Sequence, residues 1–434
     1  MGKEKVKQYY IETFGCQMNV HDSEKMAGIL KSEGYIETGS AKDADVVIFN
    51  TCSIRQKAEQ KFFSELGRIK SLKKRRPELQ IAVAGCIAQQ EGIKIIKRAP
   101  HVDFVVGPQN INALRDIITS RSDSVFIDDN PSITEVELPA DRKDNVRAWI
   151  NIMYGCDNFC SYCIVPYTRG REKSRASRSI INEIKDLAGK DYKEVTLLGQ
   201  NVNSYMSDMD FPGLLKEINK IDGIERIRFI TSHPKDLSDE LIFAVRDMEK
   251  VCEHIHLPLQ SGSTKILGLM NRKYTYEDYK KKVGKLKEIM PQITITSDII
   301  AGFPQETDED HKETVKALNE IEFDGVFAFK FSPRPGTRAS NMNGQVPEDI
   351  KSDRLYEILE IQNKITERKN KEFKGTLQEI LIEGKDEKDT GRFTGRTRTN
   401  KIVNIPLKNN VKPADIITVK ITRAGRHSLE GDIL

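Results

Sequence analysis

At 434 residues the chain can form two to four domains of about 100–200 residues each. Its 38% hydrophobic, 31% charged and 7% aromatic residues exclude a fibrous or disordered protein, and no apolar run reaches the roughly 18 residues of a membrane span. Lys and Arg (69) nearly balance Asp and Glu (65), so the net charge of +4 argues for no partner by itself. The opening MGKEKVKQYY holds no apolar signal core, and a cytoplasmic protein is expected.

Residues 8–120 alternate short apolar runs with amphipathic stretches. QYYIETFG (8–15), ADVVIFNT (44–51), LQIAVAG (79–85) and the fainter DFVVG (103–107) read as strands. SEKMAGILKSEG and AEQKFFSELGRIKSLKKR between them read as helices. The alternation predicts an α/β domain with a doubly wound parallel sheet. Residues 121–147 turn polar and read as a linker with room for one strand. The rhythm returns at longer spacing with AWINIMYG (148–155), EVTLLG (194–199), RIRFIT (226–231), HIHLPL (254–259), ITSDIIAG (295–302) and VFAFKFS (326–332). Six such β/α units predict a partial TIM-like (β/α)6 barrel, since closure takes eight strands. A charged helix over about 347–373 comes next. The short runs TLQEILIEG, IVNIPL and DIITVKIT then predict a small C-terminal β-barrel.

Seven cysteines, an odd count without an export signal, favour metal or catalytic use over disulfides. Cys156, Cys160 and Cys163 form a C-x3-C-x2-C loop directly after the first barrel strand. Three thiolates so close can hold three corners of a [4Fe–4S] cluster. No fourth Cys or His follows nearby, as a closed zinc site or a ferredoxin run would supply, so one iron stays open. Zinc, or buried cysteines without metal, are the alternatives. Cys16, Cys52 and Cys86 each end one of the first three strands, 36 and 34 residues apart. In a parallel sheet these ends share one edge, so the three converge and suit a second three-ligand cluster. Cys252 reads as barrel core.

These residues resemble the methylthiotransferase family of radical S-adenosylmethionine enzymes. The segments FGCQMNVHDSEKM, NTCSIRQKAEQK, MYGCDNFCSYCIVPYTRGREKSR and LLGQNVNSY are closest to the branch that acts on isopentenyladenosine in tRNA. The branch for threonylcarbamoyl-adenosine typically has GCKVN at the first cysteine and the ribosomal-protein branch GCPKN; here it is Gly15-Cys16-Gln17-Met18-Asn19. The resemblance spans essentially the whole chain. It implies an N-terminal methylthiotransferase domain (6–122), a radical S-adenosylmethionine core (142–372) and a TRAM RNA-binding barrel (375–434). It also implies two [4Fe–4S] clusters, on Cys156/Cys160/Cys163 and on Cys16/Cys52/Cys86. One S-adenosylmethionine supplies a radical and a second methylates the inserted sulfur, so that a methylthio group replaces hydrogen at carbon 2 of the adenine. The implied partners are the tRNA anticodon stem–loop and a flavodoxin- or ferredoxin-type electron donor, with the enzyme a monomer. No side chain is expected to act as acid or base.

Barrel active sites lie at the carboxyl ends of strands. From those positions Gln200, Ser232 and Gln260 are expected to contact S-adenosylmethionine; the resemblance adds Tyr162, which lies between two cluster cysteines where the superfamily sets a side chain against the adenine, and His233 reads as a loop residue. Arg169, Arg171, Lys173, Arg175 and Arg178 follow the cluster loop and could steer tRNA phosphates. From Gly391 to Arg426 nine basic residues (Arg392, Arg396, Arg398, Lys401, Lys408, Lys412, Lys420, Arg423, Arg426) face one acid, Asp415, as an RNA-binding module would have. The rivals are the same chemistry on threonylcarbamoyl-adenosine or a ribosomal protein, and a non-catalytic iron–sulfur RNA-binding protein.

Overall fold

A computed structural model describes residues 6–53, 56–120, 124–135, 137–386, 389, 391–407 and 410–434, without the side chains of residues 56, 57 and 120. Residue 122 and Lys408, both used above, lie outside the described residues. The chain divides into two compact units. One comprises Met1–Lys143, Met153–Asp157 and Ile164–Ala176; the other comprises Asp144–Ile152, Asn158–Cys163 and Ser177–Leu434. No helix among the described residues is long and apolar enough to cross a membrane.

The first unit is built on a six-stranded, all-parallel sheet. Its spatial order is Ile36–Glu37, Gln8–Thr13, Val46–Thr51, Gln80–Gly85, Phe104–Val106, Val125–Phe126. The order reverses at Gln8–Thr13, where the chain crosses to Val46–Thr51, and the sheet is doubly wound as expected. Period-2 alternation explains why. Val46 and Ile48 pack with Met26, Leu30 and Leu114 on one face, while Val47 and Phe49 pack with Phe62, Leu66 and Ile95 on the other. Both faces are covered, so the central strands are apolar throughout. The polar 121–147 stretch contributes the last strand, Val125–Phe126.

In the second unit the six β/α strands form two three-stranded parallel sheets. One runs Arg226–Phe229, Glu194–Leu198, Arg147–Asn151; the other runs His254–His256, Thr294–Ala301, Gly325–Lys330. A bridge between Ile227 and Val251, with the Cys252 amide on the Ile227 carbonyl at 3.0 Å, joins the two halves. The expected strand 148–155 breaks at Ile152. Met153–Tyr154 pairs instead with Lys173–Ser174 in the first unit. Gly155 ends that short strand: its φ is +70° and a Cβ there would collide with the Arg171 carbonyl. Around the sheets, Ser177–Ala188 buries Ile180, Ile184 and Leu187 at helical spacing. Tyr276–Ile289 and Asp308–Ile321 start from capping boxes, Thr275 with Asp278 and Thr307 with Asp310.

The C-terminal β-barrel is closed. Leu377–Lys385 pairs with both Arg392–Thr397 and Ile416–Ala424, and Ile402–Pro406 and Leu429–Ile433 complete the ring. Arg392–Thr397 and Leu429–Ile433 escaped the sequence reading, because glycines and polar residues dilute their apolar alternation. The barrel docks within the second unit through buried guanidinium groups. Arg228 donates to Glu194 (2.8 Å) and to the carbonyls of Arg398 (2.8 Å) and Thr397 (2.7 Å). Arg226 donates to the Arg396 carbonyl (2.6 Å) and to Glu379 (2.7 Å). Arg398 in return clasps Glu253 and the carbonyls of Glu249 and Val251.

Candidate metal centres

The first unit gathers Cys16, Cys52 and Cys86 at one edge. Register places Thr51 opposite Gly85, so Cys52 and Cys86 leave adjacent strands side by side. Cys16 follows the neighbouring strand, where the Phe14 amide still bonds the Asn50 carbonyl at 2.8 Å. Cys16 and Cys52 therefore flank the point where the strand order reverses, the position where open α/β sheets take ligands. Gly15 makes the approach possible: its φ is +117°, and a Cβ there would collide with the Cβ and sulfur of Cys52. Cys52 and Cys86 are buried.

Asn19 and Arg169 brace this edge. Asn19 Nδ2 donates to the carbonyls of Phe14 and Thr51, both at 2.9 Å, tying two strand ends together. Arg169 is only 4% exposed; it donates to Asn19 Oδ1 (3.0 Å) and to Asp22 (2.8 Å) and hydrogen-bonds Cys86. A hydrogen bond from Cys52, then the Arg169 charge, lowers the Cys16 thiol pKa against burial. At Cys86 burial dominates and raises the pKa, with Arg169 opposing it. Among the described residues no three His, Cys, Asp or Glu side chains are drawn together as a single metal ion requires. A lone zinc holds sulfur at about 2.3 Å from one centre. A cluster, with an iron at each corner, takes thiolates set farther apart. The convergent thiols and buried cation suit an anionic group.

In the C-x3-C-x2-C loop, Cys156 belongs to the first unit, and Cys160 and Cys163 to the second. The Cys156 amide bonds the Gly170 carbonyl at 3.2 Å. In the second unit the loop is anchored by Ser161, whose amide and hydroxyl donate to the Met270 and Leu269 carbonyls. Arg272, buried, donates to the Cys160 sulfur (3.3 Å), the Tyr162 hydroxyl (3.4 Å) and the Pro258 carbonyl (3.1 Å). Each cysteine set thus has one buried arginine aimed at sulfur.

The expected S-adenosylmethionine contacts all fall in the second unit. Tyr162 packs edge-on to Phe303, ring centroids 6.5 Å apart, beside Cys160 and Cys163 in the chain. Gln200 Oε1 and Ser232 Oγ, at the carboxyl ends of adjacent strands, are buried without a hydrogen-bond partner, and so is His233 Nε2. Buried polar atoms without partners are costly, and their clustering at a strand-end rim fits a polar ligand. Thr231 and Gln260 hold φ of +71° and +73°, strained for non-glycine residues and found at functional sites. Gln260 is also tied into the sheet: its amide donates to Asp298 (2.8 Å) and its carbonyl accepts from Ile300 (2.9 Å). Burial drives the His233 imidazole pKa down to about 2, so it stands neutral in its loop. Cys252 is 2% exposed, in the core as expected.

Two charge readings need correction. Arg169 and Arg175 are buried, while Arg171 pairs with Asp157 (2.8 Å) and Lys173 with Asp129 (3.1 Å). The run after the cluster loop therefore braces the first unit, and Arg178 alone stands exposed and outside it. In the C-terminal barrel Arg396 pairs with Glu383 (2.7 Å), Arg398 with Glu253 (2.8 Å) and Lys401 with Asp324 (3.5 Å). Among the described residues from Gly391 to Arg426 the exposed cations are Lys412, Lys420, Arg423 and Arg426, with Arg392 shared between Asp389 and Glu430. Sequence reasoning missed Arg272 altogether, with no local motif to mark it, and placed Arg169 in the wrong role.

Comparison with known proteins matches residues 8–107 to the Uncharacterized protein family UPF0004, residues 150–318 to the Radical SAM superfamily and residues 371–434 to the TRAM domain. The tRNA-2-methylthio-N(6)-dimethylallyladenosine synthase of Thermodesulfovibrio yellowstonii is 58% identical over 432 residues, 99% of each chain. Its counterpart in Clostridium novyi is 50% identical, covering 99% of this chain and 97% of that one. Among solved structures, the radical S-adenosylmethionine methyltransferase TsrM from Kitasatospora setae, with tryptophan and a S-adenosylmethionine analogue bound, superposes with a TM-score of 0.62. It covers 77% of this chain and 75% of its own at 15% identity. The cobalamin-dependent enzyme OxsB gives 0.52 over 83% and 56% at 12% identity. At such identities these two structures speak for the fold alone.

Proposed function

Because the chain belongs to the family of the tRNA-2-methylthio-N(6)-dimethylallyladenosine synthases, within the radical S-adenosylmethionine superfamily, we propose that it places a methylthio group on carbon 2 of dimethylallyl-adenosine (isopentenyladenosine) beside the tRNA anticodon. A [4Fe–4S] cluster with S-adenosylmethionine supplies radical removal of hydrogen from an aromatic carbon too weakly acidic for any base. Cys156, Cys160 and Cys163 would hold that cluster, with Arg272 donating to Cys160 to offset thiolate charge. Gln200 and Ser232 would satisfy their orphaned oxygens on S-adenosylmethionine, with Tyr162 and Gln260 completing the seat. Cys16, Cys52 and Cys86 would hold an auxiliary cluster for the sulfur, and Arg169 would balance its charge.

We assign the modules as 6–122, 142–372 and 375–434, acting in the cytoplasm as a monomer served by a flavodoxin- or ferredoxin-type donor. The observation that carries the reading is the convergence of Cys16, Cys52 and Cys86 beside a buried guanidinium at the sheet's switch point. Iron and sulfide measured after anaerobic reconstitution test it. A Cys16/Cys52/Cys86→Ala variant should hold half the wild-type content, and an unchanged content would refute the second cluster. Mass spectrometry of tRNA nucleosides from cells lacking the gene should show dimethylallyl-adenosine without its methylthio group.

A further inference from the structure

The inner face of the second barrel sheet carries a feature that neither cluster nor S-adenosylmethionine uses. Along Thr294–Ala301 and Gly325–Lys330 burial alternates: Ile295, Ser297, Ile299 and Ala301 are buried, whereas Thr296, Asp298 and Ile300 are half-buried. Register pairs Asp298 with Phe327 and Ile300 with Phe329, so these four share one face. Lys330, on the opposite face, reaches Glu348 and Ser352 of the helix Glu348–Lys371. The helices therefore cover the other side, and Phe327 and Phe329 look into the barrel.

Phe327 is 59% exposed and Phe329 47% exposed, on the last strand of a sheet that does not close. Two large rings left open to solvent are costly in water and favour an apolar, flat occupant. The patch is continuous with the proposed S-adenosylmethionine seat. The Ile300 amide bonds the Gln260 carbonyl, and Ile300 packs against the same buried group, Phe303 among them, that receives Tyr162. At its other end Asp298 lies 3.4 Å from His256, whose ring stands edge-on to Phe327.

We propose that Phe327, Phe329 and Ile300 seat the dimethylallyl-adenine base, with the Asp298 carboxylate accepting the single N–H left on N6. This rests on the substrate reading above. A branched five-carbon group on a flat ring offers the hydrocarbon that two phenylalanines can cover, and N6 offers the donor that a carboxylate takes.

The test uses the reconstituted protein with S-adenosylmethionine and two synthetic anticodon stem–loops, one with dimethylallyl-adenosine and one with plain adenosine, followed by fluorescence anisotropy. Wild type should prefer the alkylated RNA. Phe327→Ala/Phe329→Ala should cut that preference by about tenfold or more, with a smaller loss on plain RNA, while leaving S-adenosylmethionine affinity unchanged. Asp298→Ala should weaken both RNAs alike, because both keep an N6 hydrogen. A double variant that binds S-adenosylmethionine normally and keeps the full preference would overturn the seat. Equal losses on both RNAs in that variant would overturn it as well. If the alanine pair fails to bind S-adenosylmethionine, Phe327→Leu/Phe329→Leu replaces it and must lower the preference for the seat to stand. A wild type without any preference would fail the substrate reading itself.

Discussion

The C-terminal barrel separates exposed charge from charge that binds protein, and salt dependence can test which of the two meets RNA. Lys412, Lys420, Arg423 and Arg426 are exposed. Glu430, half-buried and shared with Arg392, sits 3.7 Å from exposed Arg423, a pair worth about 0–1 kcal/mol and easily exchanged for phosphate. Each phosphate contact adds about 0.7–0.9 to the slope of log affinity against log salt. Replacing all four by Gln should lower the slope for anticodon stem–loop binding by about 3 if each holds a phosphate. The inward set behaves differently. Arg398 is about three-quarters buried and donates to Glu253 and two carbonyls, a charge-assisted set worth about 1.5–3 kcal/mol net before any discount for partial exposure. Arg396→Gln/Arg398→Gln/Lys401→Gln should therefore loosen the barrel, visible as earlier protease cleavage near residues 372–376, with a slope change below about 1. Anisotropy titrations from about 50 to 200 mM salt measure both variants over the range where such contacts dominate. If the inward variant flattened the slope as much as the outward one, the division of charge drawn here would be refuted.

Gly15→Ala places a side chain at φ +117° against Cys52, a backbone strain of about 1–3 kcal/mol before the collision is counted. Up to half the iron should be lost, and full iron content would contradict the packing. Gln200→Ala should weaken S-adenosylmethionine binding about two- to tenfold by calorimetry, the worth of one neutral hydrogen bond; unchanged affinity would remove Gln200 from the seat. His254, buried on Thr296, has its imidazole pKa held well below the usual 6.5 by burial, with the Arg228 charge adding to the effect. It stays neutral in the fold but protonates in the unfolded chain, so stability is full above about pH 6.5 and falls by up to about 1.4 kcal/mol per pH unit below it. Denaturant midpoints of His254→Gln between pH 7 and 5 should show a shallower decline than wild type.

The cysteines were legible because their geometry is local. Three thiols within one short loop, or one at each of three strand ends, are placed by chain connectivity and by the shared polarity of a parallel sheet. Arg272 was not legible, since it meets Cys160 across 112 residues of sequence and nothing in its own neighbourhood marks it. Arg169 sat in plain view within a basic run, yet its burial depends on Asp22, 147 residues earlier. The exposed phenylalanines escaped for the same reason. VFAFKFS announces a strand, but which of its faces meets helices and which meets the lumen is decided by Glu348 and Ser352 on a later helix.

The C-terminal cations show where a correct local rule stops. In Arg392–Thr397 the buried positions are Phe393, Gly395 and Thr397, so alternation sends Arg392 and Arg396 out of the small barrel's own core. Alternation reads the direction of Arg396 correctly. Outward from one core is not outward to solvent when another domain lies there: Arg396 donates to Glu383 of its own barrel at 2.7 Å, and Arg147 of the preceding domain donates to the same carboxylate oxygen at 2.8 Å. Arg226 and Arg228, 1% and 6% exposed, meet the backbone carbonyls of Arg396, Thr397 and Arg398. Carbonyls carry no sequence signal, so a contact made through them leaves no complementary residue to find. The sign of the tail was therefore readable from composition, whereas its division into docking and solvent-facing charge required the fold of the partner surface.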